Sequence, residues 1–185
     1  MHNNVVLIQF SSRKFGNCAT VSSKIAQFYQ TCHIAAFTVN NQTVTPCNDC
    51  NYECLQAGKK CPNLTDAYTA LMETLCRADL IYFIVPNYCG YPNANYFAFN
   101  ERSAGFFNTD RAVMQKYMSI PKRFIIISNT VSKKFEDAMQ QQVDCQPDIL
   151  YLKSSQYGKM SIAGDIMDSN DAMEDLIAFL KRGPF

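Results

Sequence analysis

Apolar positions along this chain fall into two alternating patterns. Val5-Val6-Leu7-Ile8-Gln9-Phe10 is a nearly continuous apolar run, the mark of a parallel strand covered on both faces. Residues 11–17 are polar and include Gly16. From Cys18 onward Val21, Ile25 and Phe28 recur at helical spacing, which predicts a helix with one buried face. Residues 34–39 predict a short second strand. After a polar, cysteine-rich stretch over 45–64, Thr65 and Asp66 are placed to cap a helix carrying Leu71, Met72 and Leu75. Leu80-Ile81-Tyr82-Phe83-Ile84-Val85 predicts a third buried strand, stopped by Pro86. A helix over 93–102 follows, then a break at Gly105 and a polar helix over 111–118. Phe124-Ile125-Ile126-Ile127-Ser128 predicts a fourth strand, residues 132–143 a helix, and Ile149-Leu150-Tyr151-Leu152 a fifth strand. In a last helix over 171–180, Met173, Leu176, Ile177 and Leu180 share one face.

Strands that alternate with helices require crossover connections, and these make a parallel sheet with helices on both faces. The expected fold class is therefore α/β, a three-layer sandwich around a five-stranded parallel sheet. Of the doubly wound orders, the flavodoxin-like order 2-1-3-4-5 suits a chain of 185 residues. No repeat, low-complexity tract or linker divides the chain, so residues 1–185 are expected to form a single domain. Sheets of this kind bind ligands beyond the carboxyl ends of their strands, where the strand order reverses. The loops after the first, third and fourth strands are thus the expected place of chemistry.

Composition narrows the function. A net charge of +1 with its charges scattered offers no basic stripe to nucleic acid. No stretch approaches the roughly 20 apolar residues of a membrane span. The apolar run at residues 5–10 is too short, and lacks the basic lead-in, for a secretory signal; a cytoplasmic protein is the expectation. His2 and His33 are the only histidines, so a His-rich metal site or a Ser-His-Asp triad is hard to build. His33 reads best as part of a helix-to-strand turn. Nine cysteines in a reducing compartment imply buried apolar residues, reactive thiols or metal ligands rather than structural disulfides.

The loop after the first strand is Ser11-Ser12-Arg13-Lys14-Phe15-Gly16-Asn17-Cys18. A strand-to-helix turn leaves backbone N–H groups free at the helix start, where the dipole adds partial positive charge. Ser11, Ser12 and Asn17 add hydroxyl and amide donors, Gly16 permits close backbone approach, and Arg13 can pair with a phosphate as a planar fork. The loop is neither GxGxxG nor GxxxxGK[ST], which argues against a dinucleotide fingerprint and a Walker-type NTPase. A polar turn that merely caps a helix is the plainer alternative.

Ser11-x-Arg13-x-x-Gly16-Asn17 resembles the phosphate loop of the NADPH-dependent FMN reductase family, a flavodoxin-like group that includes iron–sulfur flavoproteins. That loop usually carries Thr or Ser where this chain has Cys18. A second segment, Pro86-Asn87-Tyr88-Cys89-Gly90-Tyr91 followed by a helix ending in Asn100-Glu101-Arg102, is similar to the family's Pro-x-Tyr loop and its helix ending in Asp-Arg or Glu-Arg. The resemblance covers about residues 3–102; beyond it a polar loop, Ser128-Asn129-Thr130, follows the fourth strand. It implies that FMN sits with its phosphate on Ser11, Ser12, Arg13, Gly16, Asn17 and Cys18. The flavin ring would lie against Pro86, Asn87, Tyr88, Cys89, Gly90 and Tyr91, near Ser128 and Asn129. The chemistry would reside on the flavin, with NAD(P)H as co-substrate and no catalytic side chain. A small-molecule or protein electron acceptor is implied, without nucleic acid or membrane partners, in a homodimer or homotetramer. Iron–sulfur flavoproteins and flavodoxin-type carriers without NAD(P)H turnover of their own are the alternatives. Such carriers are usually strongly acidic, which this chain is not.

Four cysteines fall in one polar loop as Cys47-x2-Cys50-x3-Cys54-x6-Cys61. Thiolates at such spacing can hold a cluster or a metal. Iron–sulfur flavoproteins resemble this loop, with a middle gap of two residues where this chain has Asn51-Tyr52-Glu53. Three alternatives stay open: no metal, a [4Fe–4S] cluster, or zinc.

Overall fold

The computed structural model describes the chain apart from residues 1–2, 41–42, 48–49, 57–58, 64–65, 109, 132 and 184–185 and the side chain of residue 133. β1 (Asn4–Gln9), β2 (His33–Thr38), β3 (Leu80–Tyr88), β5 (Lys122–Ser128) and β6 (Asp148–Lys153) form a parallel sheet in the order β2-β1-β3-β5-β6. A two-residue strand, β4 (Tyr91–Pro92), folds back on the end of β3. Apart from that hairpin, the five parallel strands follow the flavodoxin-like order.

The apolar runs of the sequence divide by parity. Val6, Ile8 and Phe10 of the first run, Ile81, Phe83 and Val85 of β3, and Phe124 and Ile126 of β5 face one core. That side is closed by α2 (Tyr68–Leu75), α3 (Ala94–Glu101), α4 (Ser103–Phe107), α5 (Arg111–Ser119) and α6 (Lys133–Gln140). Val5, Leu7, Leu80, Tyr82, Ile84, Ile125 and Ile127 face the other, under α1 (Asn17–Phe28) and α7 (Asn170–Arg182). Both faces being covered, alternation of apolar and polar residues disappears and the strands read as continuous runs. Each such side chain contributes about 1.5–3 kcal/mol of burial, so strand placement is heavily determined.

Two local expectations change. β3 does not stop at Pro86 but continues to Tyr88, with Pro86 in register with Ile127. The Ile84 carbonyl accepts from Phe10 N, so the backbone of Ile84, and by parity that of Pro86, faces β1. β1 has already ended at Gln9, so the proline forfeits no ladder bond. Gly105 lies inside α4 rather than at a break; the interruption falls one turn earlier, at Arg102. A Cβ on Gly105 would stand 3.0 Å from Cys61 Cβ and 3.1 Å from its Sγ. That glycine makes room for the cysteine loop.

Arg123, fully buried, ties the far end of the sheet together. It donates to Asp148 Oδ2 (2.7 Å), the Phe179 carbonyl (2.7 Å) and the Tyr82 hydroxyl (3.3 Å), while Arg182 holds the other Asp148 oxygen at 2.7 Å. Removing one partner of a buried pair strands the other charge. Asp148→Ala is therefore expected to lower the unfolding free energy by about 3–5 kcal/mol, read as a reduced urea midpoint at unchanged m-value. A midpoint within experimental error of the parent would refute this role.

Candidate functional site

The carboxyl ends of β1, β3 and β5 meet at a cleft of about 240 Å³, lined by Ser11, Arg13, Gly16, Asn17, Cys18, Pro86, Asn87, Tyr88, Ile127, Asn129, Ser161 and Ile162. A second hollow, bounded by Cys89, Gly90, Ser128, Thr130 and Val131, shares Asn87, Asn129 and Ser161 with it. The two form one continuous depression at the position where doubly wound sheets bind ligands.

Phe10 anchors the first loop. Its ring stacks on Phe83 at 5.8 Å and meets Tyr96 and Phe99 edge-on at 5.3 and 5.7 Å. Its carbonyl accepts from Asn93 Nδ2 (2.5 Å) and Asn95 Nδ2 (2.8 Å), and Asn95 reaches on to Ser12 Oγ at 3.1 Å. Ser11 is buried and accepts from Arg13 N at 3.2 Å. Gly16 is the N-cap of α1 in extended conformation; no side chain caps the helix, and its first turn carries no acidic residue. The opening N–H groups therefore remain available to an anion. Arg13 folds over this end: a Cβ on Gly16 would lie 3.6 Å from Arg13 Nε.

Asn17 is placed differently from a ligand donor. Its Nδ2 donates to the Ser161 carbonyl at 2.9 Å and its Oδ1 accepts from Ile166 N at 2.9 Å. Cys18 is buried, and burial pushes its thiol up to about 12, against smaller opposing effects of Ser11 and Arg13. A neutral thiol at this point is compatible with a bound anion, where a thiolate would repel it.

The β3–β4 hairpin forms the second wall. Tyr88 pairs with Tyr91 across Cys89 (φ 53°) and Gly90 (φ 86°), the two positive φ angles of a type I′ turn. Asn87 Oδ1 accepts from Gly90 N at 2.8 Å, and its Nδ2 donates to Ser128 Oγ at 2.5 Å. Asn87 and Ser128 thus fasten the hairpin to the loop after β5. Tyr88 and Cys89 are exposed at the rim, and Tyr91, also exposed, accepts from Lys134 Nζ at 2.6 Å. Asn129 accepts from Ser154 Oγ and, through its carbonyl, from Ser155 Oγ.

Of the residues expected for FMN, all but Ser12 and Tyr91 line this depression; those two stand beside it, Ser12 bonded to Asn95 and Tyr91 to Lys134. The sequence reading missed Ser161, Ile162, Asn93, Asn95 and Ser154. Asn93 and Asn95, at the start of a helix, carried a capping signal; residues 154–168 carried none beyond Gly158 and Gly164.

The cysteine loop is fastened to the helical side of the site. Arg102 donates to the Thr45 carbonyl (2.6 Å), the Asn63 carbonyl and both oxygens of Asp66 (2.7 and 3.2 Å), and lies over the Tyr68 ring at 4.9 Å. Asp66 also accepts from Thr45 N and Tyr68 N, and Glu101 accepts from Cys47 N at 2.6 Å. Cys54 and Cys61 pack on Gly105. Burial, together with the neighbouring Glu101, holds the Cys47 thiol above its ordinary value. Among the described residues no three His, Cys, Asp or Glu side chains are grouped as metal ligands.

No protein-family model and no curated protein sequence matches the chain. Solved structures match it in shape. The Trp repressor binding protein from Bacillus subtilis aligns with TM-score 0.63 and 13% identity over 98% of this chain and 99% of that one. A flavoenzyme NAD(P)H:(acceptor) oxidoreductase from Paracoccus denitrificans aligns with TM-score 0.54 and 12% identity over 97% and 98% of the two chains. An NADH:FMN oxidoreductase aligns with TM-score 0.53 and 11% identity over 96% and 88%. At these identities the likeness establishes the flavodoxin-like fold.

Burial pushes the Cys18 thiol up to about 12 in the folded state, from an ordinary value of 9.0 that unfolding restores. Its folded value being the higher, the stability it contributes is complete below the unfolded value and is lost as pH rises from there towards the folded one. Between about pH 8 and about pH 10.5 the parent should lose about 2 kcal/mol that Cys18→Ser, which does not titrate there, retains. Paired urea melts at the two pH values check the difference; parallel losses in parent and variant would contradict it.

Proposed function

We propose that this protein binds FMN in the cleft at the ends of β1, β3 and β5 and acts as an NAD(P)H-dependent oxidoreductase towards a small-molecule or protein electron acceptor. The observation that carries the reading is the uncapped amino end of α1 with Arg13 folded over it, continuous with a depression rimmed by Tyr88. Backbone N–H groups and a guanidinium suit a terminal phosphate dianion. The hairpin and the loop after β5 offer a flat, partly apolar seat with backbone donors at its edge. When bound, the flavin supplies a ring able to accept hydride from a nicotinamide and release the electrons to a second substrate. The chain's own residues bind and orient: Arg13 and the start of α1 hold the phosphate end, and Asn87 with Ser128 fixes the hairpin. FMN fits better than FAD because the loop makes one terminal-phosphate seat and lacks the glycine pattern of a pyrophosphate site. The names of the Paracoccus oxidoreductase and the NADH:FMN oxidoreductase agree with this reading. Exposed apolar side chains around the mouth, Phe15 and Tyr88 among them, favour a homodimer or homotetramer that covers them.

Cofactor released by heat from protein expressed with ample riboflavin should chromatograph as FMN, and the purified protein should oxidise NADH or NADPH steadily when an acceptor is present. Arg13→Ala should weaken FMN binding about ten- to a hundredfold, the effect of losing a charge-assisted hydrogen bond. Recovery of FAD, absence of any flavin, or an Arg13→Ala variant that titrates like the parent would overturn the assignment.

A further inference from the structure

Residues 158–165 form a flap beside the phosphate loop, and Ser161 and Ile162 of this flap make one wall of the cleft. Lys159 Nζ meets Asp165 Oδ2 at 3.3 Å across its base, and Ala163 N donates to the Met160 carbonyl at 2.9 Å in the turn at its tip. Met160 and Ile162 at that tip are 63% and 69% exposed. Gly164 (φ +84°) rests on the phosphate loop, where a Cβ would lie 3.6 Å from Gly16 Cα and 3.7 Å from the Phe15 carbonyl oxygen. Asn17, 4% exposed, clasps the flap on both sides, through the Ser161 carbonyl and the Ile166 amide.

We propose that Asn17 is a positioning residue whose carboxamide latches the 158–165 flap against the anion seat and so sets how long a phosphate-bearing ligand stays bound. The identity of that ligand as FMN rests on the function proposed above; the latch itself does not. The carboxamide must donate to one flap group and accept from another at once. A carboxamide does so from two separate atoms without a change of protonation, where a hydroxyl would have to serve both partners from one oxygen. Asp would keep the acceptor for Ile166 N but set an oxyanion against the Ser161 carbonyl. With its side chain committed to the flap, Asn17 offers a ligand its backbone N–H alone. Loss of the carboxamide strands the N–H of Ile166, which is buried, and an unsatisfied buried donor favours local opening over global unfolding where few other contacts hold the segment. An opened flap acts on release more than on encounter, because changes at an existing interface appear mostly in the off-rate.

Hydrogen exchange on flavin-free protein tests the latch without reference to any ligand. In Asn17→Ala, which removes both of these hydrogen bonds, amides of residues 158–166 should exchange at least about tenfold faster, while those of β1, β3 and β5 keep their protection. Asn17→Asp should give a smaller increase confined to the same segment, and decides the matter if Asn17→Ala does not fold. In stopped-flow displacement, FMN should leave Asn17→Ala about tenfold faster with its association rate within about twofold of the parent. Unchanged exchange in the flap, or loss of protection spread evenly over the strands, overturns the latch. A parent protein that takes up no FMN overturns the flavin reading and leaves the exchange result to judge the latch.

Discussion

The amino end of α1 begins with N–H groups that, among the described residues, no side chain caps. A helix start ordinarily recruits a Ser, Thr, Asp or Asn side chain for these donors; here Gly16 occupies the N-cap and contributes none. The donors are left open at the end of β1, which lies between β2 and β3 in the sheet. The rest of the site is arranged around that opening, with Arg13 folded over it and Cys18 kept neutral beneath it. A capped helix with the same fold would have a quiet surface in its place.

An uncapped helix end binds well only if it is held still. Phe10 supplies that rigidity: its ring is locked among Phe83, Tyr96 and Phe99 and its carbonyl takes two Asn amides from the start of α3. Packing on the core side thereby fixes the loop on the ligand side, and the same asparagines carry the constraint into the helix that follows the hairpin. Interiors of this density do not deform continuously, so the geometry of the two loops relative to each other is set by the sheet rather than by the ligand.

Much of this was legible in the chain. Continuous apolar runs marked β1, β3 and β5 because burial on both faces removes alternation, shorter runs marked the half-buried edge strands β2 and β6, and Ser11-x-Arg13-x-x-Gly16-Asn17 marked the loop after β1. What escaped reading depended on tertiary partners. Pro86 looked like a stop because its missing N–H matters only where a neighbouring strand extends alongside, and β1 had already ended. Gly105 looked like a helix break, yet its missing side chain serves Cys61, distant in sequence. Asn17 lines the cleft as its place in the loop suggested, but the bonds of its carboxamide to Ser161 and Ile166 lead to a stretch with no periodicity to announce it.

The Arg102 guanidinium touches the carbonyls of both Thr45 and Asn63, and so draws the two ends of the cysteine segment to one point. A segment closed at its neck behaves as a cassette: the entropy of closing it grows only with the logarithm of its length, and whatever happens inside the ring is not transmitted to the sheet. Insertion of a residue such as the third member of Asn51-Tyr52-Glu53 is then nearly neutral for the fold. A change in the length or content of the ring would then leave the neighbouring cleft intact, so this part of the molecule is replaceable without cost to the rest.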